Sequence, residues 1–130
     1  MMAVIFELEP KPGKADAYFD VAGSLKSHLE AMDGFISVER FESVAAPGKF
    51  PSLSFWRDEA ALEAWRNLTP HRGAQSTGRG EIFADYRLRV AHVVRDYGHN
   101  RRAEAHQASR AEHGKMSGDP GKIDLSIFTL

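Results

Sequence analysis

Ser54-Phe55-Trp56-Arg57-Asp58-Glu59-Ala60-Ala61-Leu62-Glu63-Ala64-Trp65, with His71 following, is the stretch that decides the fold of this chain. Leu53 to Trp56 is an apolar run that reads as a strand ending in an aromatic pair. Arg57-Asp58 interrupts it. Asp58 is a capping residue for a helix that opens near Glu59, and Ala61, Leu62, Trp65 and Leu68 recur at helical spacing as its apolar face. Two indoles and an imidazole are thereby drawn to one strand-to-helix junction. Phe55 and Trp56, being neighbours on a strand, point to opposite faces of their sheet.

Working outward, Ala3 to Leu8 reads as a first strand, and Pro12-Gly13 as a turn. Between Lys14 and Met32, the residues Tyr18, Val21, Ala22, Leu25, Leu29 and Met32 keep helical spacing, which predicts one long amphipathic helix. Asp33-Gly34 stops it. Phe35 to Val44 reads as a second strand, followed by the turn Ala46-Pro47-Gly48-Lys49. Pro70 breaks the second helix, and a further helical piece is expected from His71 to about Gly78. Ile82 to Tyr97 reads as the longest strand. The order is β-α-β-β-α-β, an α+β ferredoxin-like antiparallel sheet.

Helices can cover only one face of such a sheet, yet the strands put apolar residues on both. Val4, Phe6 and Leu8 oppose Ala3 and Ile5; Val90 and Val94 oppose Ala91 and Val93. An uncovered apolar face asks for a partner, and a homodimer packed sheet to sheet is the economical answer. Residues 1–98 are read as the folded domain, 99–122 as a polar arm or linker, and 123–130 as a strand packing on its own or the partner's sheet. His99, His106 and His113 lie on the arm. Their seven-residue steps separate side chains by about 10 Å on a helix, too far for joint chelation, so no metal site is assigned.

The chain has 130 residues, a net charge of -1 and no cysteine. That is enough for one core. It excludes disulfides, thiolate metal sites and cysteine nucleophiles, and nothing in the charge favours nucleic acid or an anionic membrane. With no signal-like start and no transmembrane-length apolar run, a cytoplasmic location is expected.

The run from Ala3 to Tyr97 resembles the antibiotic biosynthesis monooxygenase family, a group of dimeric α+β barrels. The resemblance is carried by Ala3-Val4-Ile5-Phe6-Glu7, Asp33-Gly34-Phe35-Ile36-Ser37-Val38-Glu39-Arg40-Phe41, Leu53-Ser54-Phe55-Trp56 with Glu59-Ala60-Ala61 and Trp65, His71-Arg72, and Phe83-Ala84-Asp85-Tyr86. It implies a homodimer and, as one of several family activities, cofactor-independent oxygenation of an electron-rich phenol, anthrone or quinol by dioxygen. No G-x-G-x-x-G follows the first strand; Gly78-Arg79-Gly80 is better read as a turn.

Such chemistry needs a base near neutral pH, donors for a developing anion and a dry aromatic pocket. His71 is the candidate base and Arg72 its electrostatic partner. Phe55, Trp56, Trp65, Tyr86 and Arg40 are the candidate substrate-binding residues, Arg40 as an anion donor. His28 and His92 fall on apolar faces and are read as core histidines. Haem-degrading relatives supply the alternative cofactor. They carry an asparagine on strand one, a tryptophan on helix two and a histidine about ten residues further on. Here Phe6 and Gln75 stand near the first and third of those places, Trp65 fits the second, and His71 arrives one helical turn early. A non-catalytic dimer binding a small ligand is the third reading.

Overall fold

The computed structural model describes residues 1–68 and 82–105. A compact unit runs Met1–His92, and a second begins at Val93. The first unit contains β1 (Met2–Pro10), α1 (Ala15–Glu30), β2 (Phe35–Arg40), β3 (Ser52–Trp56), α2 (Glu59–Arg66) and β4 (Phe83–His92). The sheet order is β2-β3-β1-β4 with every pairing antiparallel, the ferredoxin-like arrangement.

Register assigns the faces. Met2 pairs with both Trp56 and His92, Val4 with Ser54 and Val90, and Phe6 with Ser52 and Leu88. These residues face the helices. Ala3, Ile5 and Glu7, with Phe55, Leu53, Ala91, Arg89 and Arg87, face the other way. On β2 strict alternation would send Phe35 and Val38 to opposite faces. A bulge between Phe35 and Ser37 inserts Ile36 as an extra residue, so both pack on the helix-side core while Ile36 stands exposed.

Two strands are shorter than expected, for identifiable reasons. β4 ends at His92 because β1 begins opposite it at Met2, leaving Val93 to Tyr97 without a ladder. β2 stops at Arg40 rather than Val44. Phe41 still donates to the Pro51 carbonyl at 2.9 Å, but Pro51 has no N–H to return, and the chain turns through Gly48 at φ +93°.

One helix-side cluster joins Met2, Val4, Leu29, Trp56, Ala61 and Trp65. A second joins Leu8, Tyr18 and Ile82. α1 reaches both, through Leu29 near its end and Tyr18 near its start. Its periodicity is as predicted, but His28 lies off the buried stripe and is exposed; so is His92, at the last rung of the sheet. Neither is a core histidine.

Gly34 joins the two layers. Its φ is +86°, and a Cβ there would stand 2.5 Å from the Ala61 Cβ. Beside it, the Arg57 guanidinium grips both carboxylate oxygens of Asp33 at 3.1 and 3.2 Å and Asp58 Oδ2 at 3.1 Å. Asp58 caps α2 by accepting from the Ala61 N–H at 2.9 Å. That amide bond first, and the arginine second, hold its carboxyl below the usual carboxylate range.

The face away from the helices carries Ile5, Leu53 and Phe55 beside a charged cluster. Glu7 Oε2 meets Lys49 Nζ at 3.3 Å and Arg89 at 3.4 Å. Beyond the first unit, Gly98 and Arg101 form an isolated bridge, and the Arg102 guanidinium lies 5.2 Å from the Tyr97 ring centroid. The expected strand 123–130 lies outside the described residues, as do His106 and His113.

Candidate active site

A cleft of about 730 Å³ opens within the first unit between the two helices and the sheet. Its walls follow from the face assignment. β1 contributes Val4 and Phe6, α1 contributes Tyr18 to Leu29 at helical spacing, and β4 contributes Tyr86, Leu88 and Val90. The two indoles close one end: Trp56 and Trp65 have ring centroids 6.3 Å apart, and Phe35 stands edge-on to Trp56 at 5.4 Å. At 1% and 6% exposure they are fixed by packing, so they wall the cleft as rigid surfaces.

The other end is aromatic with polar tips. Phe83 contacts Phe6 at 5.7 Å, Tyr86 at 5.9 Å and Tyr18 at 6.2 Å, centroid to centroid. Polar groups enter the wall from one sheet edge. Arg40 and Ser52 face each other across β2 and β3, and Ser54 lies one helix-facing position further along β3. Ser54 Oγ accepts the Trp56 indole N–H at 3.0 Å. Arg40 forms no ion pair among the described residues, although Glu59, Glu63 and Arg66 also border the cleft along α2.

Four of the sequence-predicted residues, Trp56, Trp65, Tyr86 and Arg40, therefore meet at one cleft. Phe55 does not. Strand alternation puts it on the opposite face, opposite Ala3 on β1 and Ser37 on β2. His71, Arg72 and Gln75 lie outside the described residues. Among the described residues no group of three or more acidic or histidine side chains is placed to hold a metal.

Sequence reasoning passed over Tyr18, Phe6, Phe83, Ser52 and Ser54. A period-two count back from Trp56 would have put both serines on its face. Tyr18 was visible only as one more apolar position of α1.

Residues 1–77 match the model of the antibiotic biosynthesis monooxygenase family. The chain belongs to this family. Within it, a curated relative is the jasmonate monooxygenase ABM of Pyricularia oryzae, 39% identical over 132 residues; the alignment covers 100% of this chain and 61% of that protein. The chain thus spans less than two thirds of that relative's length. The uncharacterized protein YqjZ of Bacillus subtilis is 32% identical over 93 residues, 72% of this chain and 79% of that one. Among solved structures, Rv0793 of Mycobacterium tuberculosis superposes with a TM-score of 0.67 at 18% identity, covering 75% of this chain and 98% of that one. That likeness is one of fold. No helix among the described residues is long and apolar enough to cross a membrane.

Proposed function

We propose that this chain is a cofactor-independent monooxygenase that oxidises a small, electron-rich aromatic substrate in the helix-side cleft. The observation that carries the reading is the cleft itself in a chain of this family. About 730 Å³ of largely apolar volume, ended by two packed indoles, has its few polar groups gathered at one sheet edge and one aromatic corner. That is the composition of a small-molecule site.

The chemistry balances without a reductant for an anthrone. A base removes a methylene proton, and the carbanion passes an electron to dioxygen. The two radicals combine as a peroxide, which collapses to the ketone. One oxygen atom stays as the new carbonyl, and the other leaves with both methylene hydrogens as water. His71 is proposed as the base, because imidazole titrates closest to neutrality, and Arg72 as the cation beside the developing anion. Trp56 and Trp65 shield the intermediates from water, and Arg40 and Tyr86 orient the substrate's oxygen functions. A homodimer through the face bearing Ile5, Leu53 and Phe55 completes the proposal.

A second reading has one specific support, the similarity to a jasmonate monooxygenase, which takes in this whole chain and 61% of that protein. On it, the cleft takes an alicyclic keto acid whose carboxylate lies toward Arg40. Hydroxylating saturated carbon then requires a two-electron donor such as reduced nicotinamide. One experiment separates the two: oxygen uptake and product mass with an anthrone alone, and with jasmonic acid with and without reduced nicotinamide. Uptake with the anthrone alone supports the first reading. Donor-dependent gain of one oxygen on jasmonic acid supports the second, and no consumption in any arm removes both.

A further inference from the structure

Tyr18 is only 7% exposed, yet its hydroxyl makes no hydrogen bond among the described residues. The hydroxyl is not among the fully buried polar atoms that lack a partner, so it keeps an opening on the cleft side, where a bound oxygen or water can meet it. The ring is held on several sides. Phe83 stands edge-on at 6.2 Å, Phe19 lies at 5.2 Å, and Leu8 and Ile82 complete the cluster. Tyr18 also lines the cleft. Tyr86 approaches the same Phe83 ring from β4 at 5.9 Å and lines the same cleft, and its hydroxyl too is unbonded among the described residues.

We propose that Tyr18, together with Tyr86, holds an oxygen atom of the cleft's ligand, so that the site selects molecules carrying a carbonyl, phenol or enolate oxygen at their Phe83 end. A core position filled for packing alone would take phenylalanine, which offers the same ring without a hydroxyl on the cleft side. Phenol donors suit an oxygen that gains negative charge, since they strengthen their bond as that charge grows. The inference rests on the proposal that the cleft is the substrate site.

The test pairs stability with binding. Tyr18→Phe and Tyr86→Phe are compared with the wild-type chain by thermal melting and by calorimetric titration with 2-naphthol and with naphthalene. The expected result is an undiminished melting temperature for Tyr18→Phe and a loss of 2-naphthol affinity of roughly five- to tenfold, with naphthalene binding unchanged. The smaller loss is expected for Tyr86→Phe, whose position is more open. Three outcomes overturn the proposal: unchanged 2-naphthol affinity, an equal loss for both probes, or a melting temperature lowered enough to show that the hydroxyl stabilises the fold. If neither probe binds the wild-type chain, the cleft itself fails as the substrate site, a result distinct from binding that survives in Tyr18→Phe.

Discussion

Trp56 donates its indole N–H to Ser54 Oγ, two residues earlier on the same strand face, at 3.0 Å. The largest buried side chain of the core thus has its one polar atom satisfied locally, by a serine in the wall of the cleft. Ser54→Ala strands that N–H and is expected to cost about 1 to 3 kcal/mol by denaturant unfolding. Ser54→Thr keeps the hydroxyl and should retain most of the stability. Equal stability of the alanine variant and the native chain would show that the bond contributes nothing net.

Gly34 and Gly48 both occupy positive φ, but only Gly34 faces a neighbour at close range. Gly48→Ala should therefore cost only the backbone term, about 1 kcal/mol, whereas Gly34→Ala adds a collision with Ala61 and should cost at least about 2 kcal/mol. Similar melting shifts for the two variants would mean that the junction of β2 and α2 relaxes freely.

Glu7 carries a pH dependence with a definite sign. Its hydrogen bond to Lys49, then the charges of Lys49 and Arg89, hold its pKa below the ordinary glutamate value of 4.5. A depressed folded-state pKa adds stability that is present above the unfolded value and is lost as pH falls through the folded one. Acid titration of the melting temperature should therefore fall less steeply below pH 4.5 in Glu7→Gln than in the native chain. Parallel acid limbs would exclude Glu7 as a contributor.

Phe55 stands on the face away from the helices, and a homodimer through that face predicts a simple result. Phe55→Asp should shift sedimentation from dimer to monomer while leaving the helix-side core intact by circular dichroism. A native chain that sediments as a monomer would remove the dimer outright.

His71→Ala is expected to abolish oxygen uptake without changing the melting temperature. Haemin titration from 300 to 700 nm, run beside it, addresses the alternative cofactor. A saturable Soret shift near one haem per chain, lost in the variant, would replace the cofactor-independent mechanism. Unchanged turnover in the variant would take His71 out of the reaction.

Much of the architecture was legible because it depends on local pattern. Helical spacing from Tyr18 to Leu29 defined α1, Asp58 marked the start of α2, and Gly34 marked the return of the chain. The strand ends were not legible, since they depend on partners. β4 stops where β1 runs out at Met2, and β2 stops where Pro51 cannot donate. His28 misled because a helical count has a margin of one position, and one position separates a buried stripe from solvent; His92 keeps the face that alternation gave it, opposite Met2, but stands exposed at the last rung of the sheet.

The sequence alone determined the order of elements, the opposite facing of Phe55 and Trp56, and the residue types able to do chemistry near a strand-to-helix junction. These rest on periodicities of 2 and 3.6, which act within one element. Only the tertiary structure decided which residues share the cleft. The bulge at Ile36 turned both Phe35 and Val38 inward, cross-strand register set Arg40 opposite Ser52, and Phe83 drew Tyr18 and Tyr86 to one corner. Those are contacts between distant parts of the chain, selected by how the layers pack, and no local pattern encodes them.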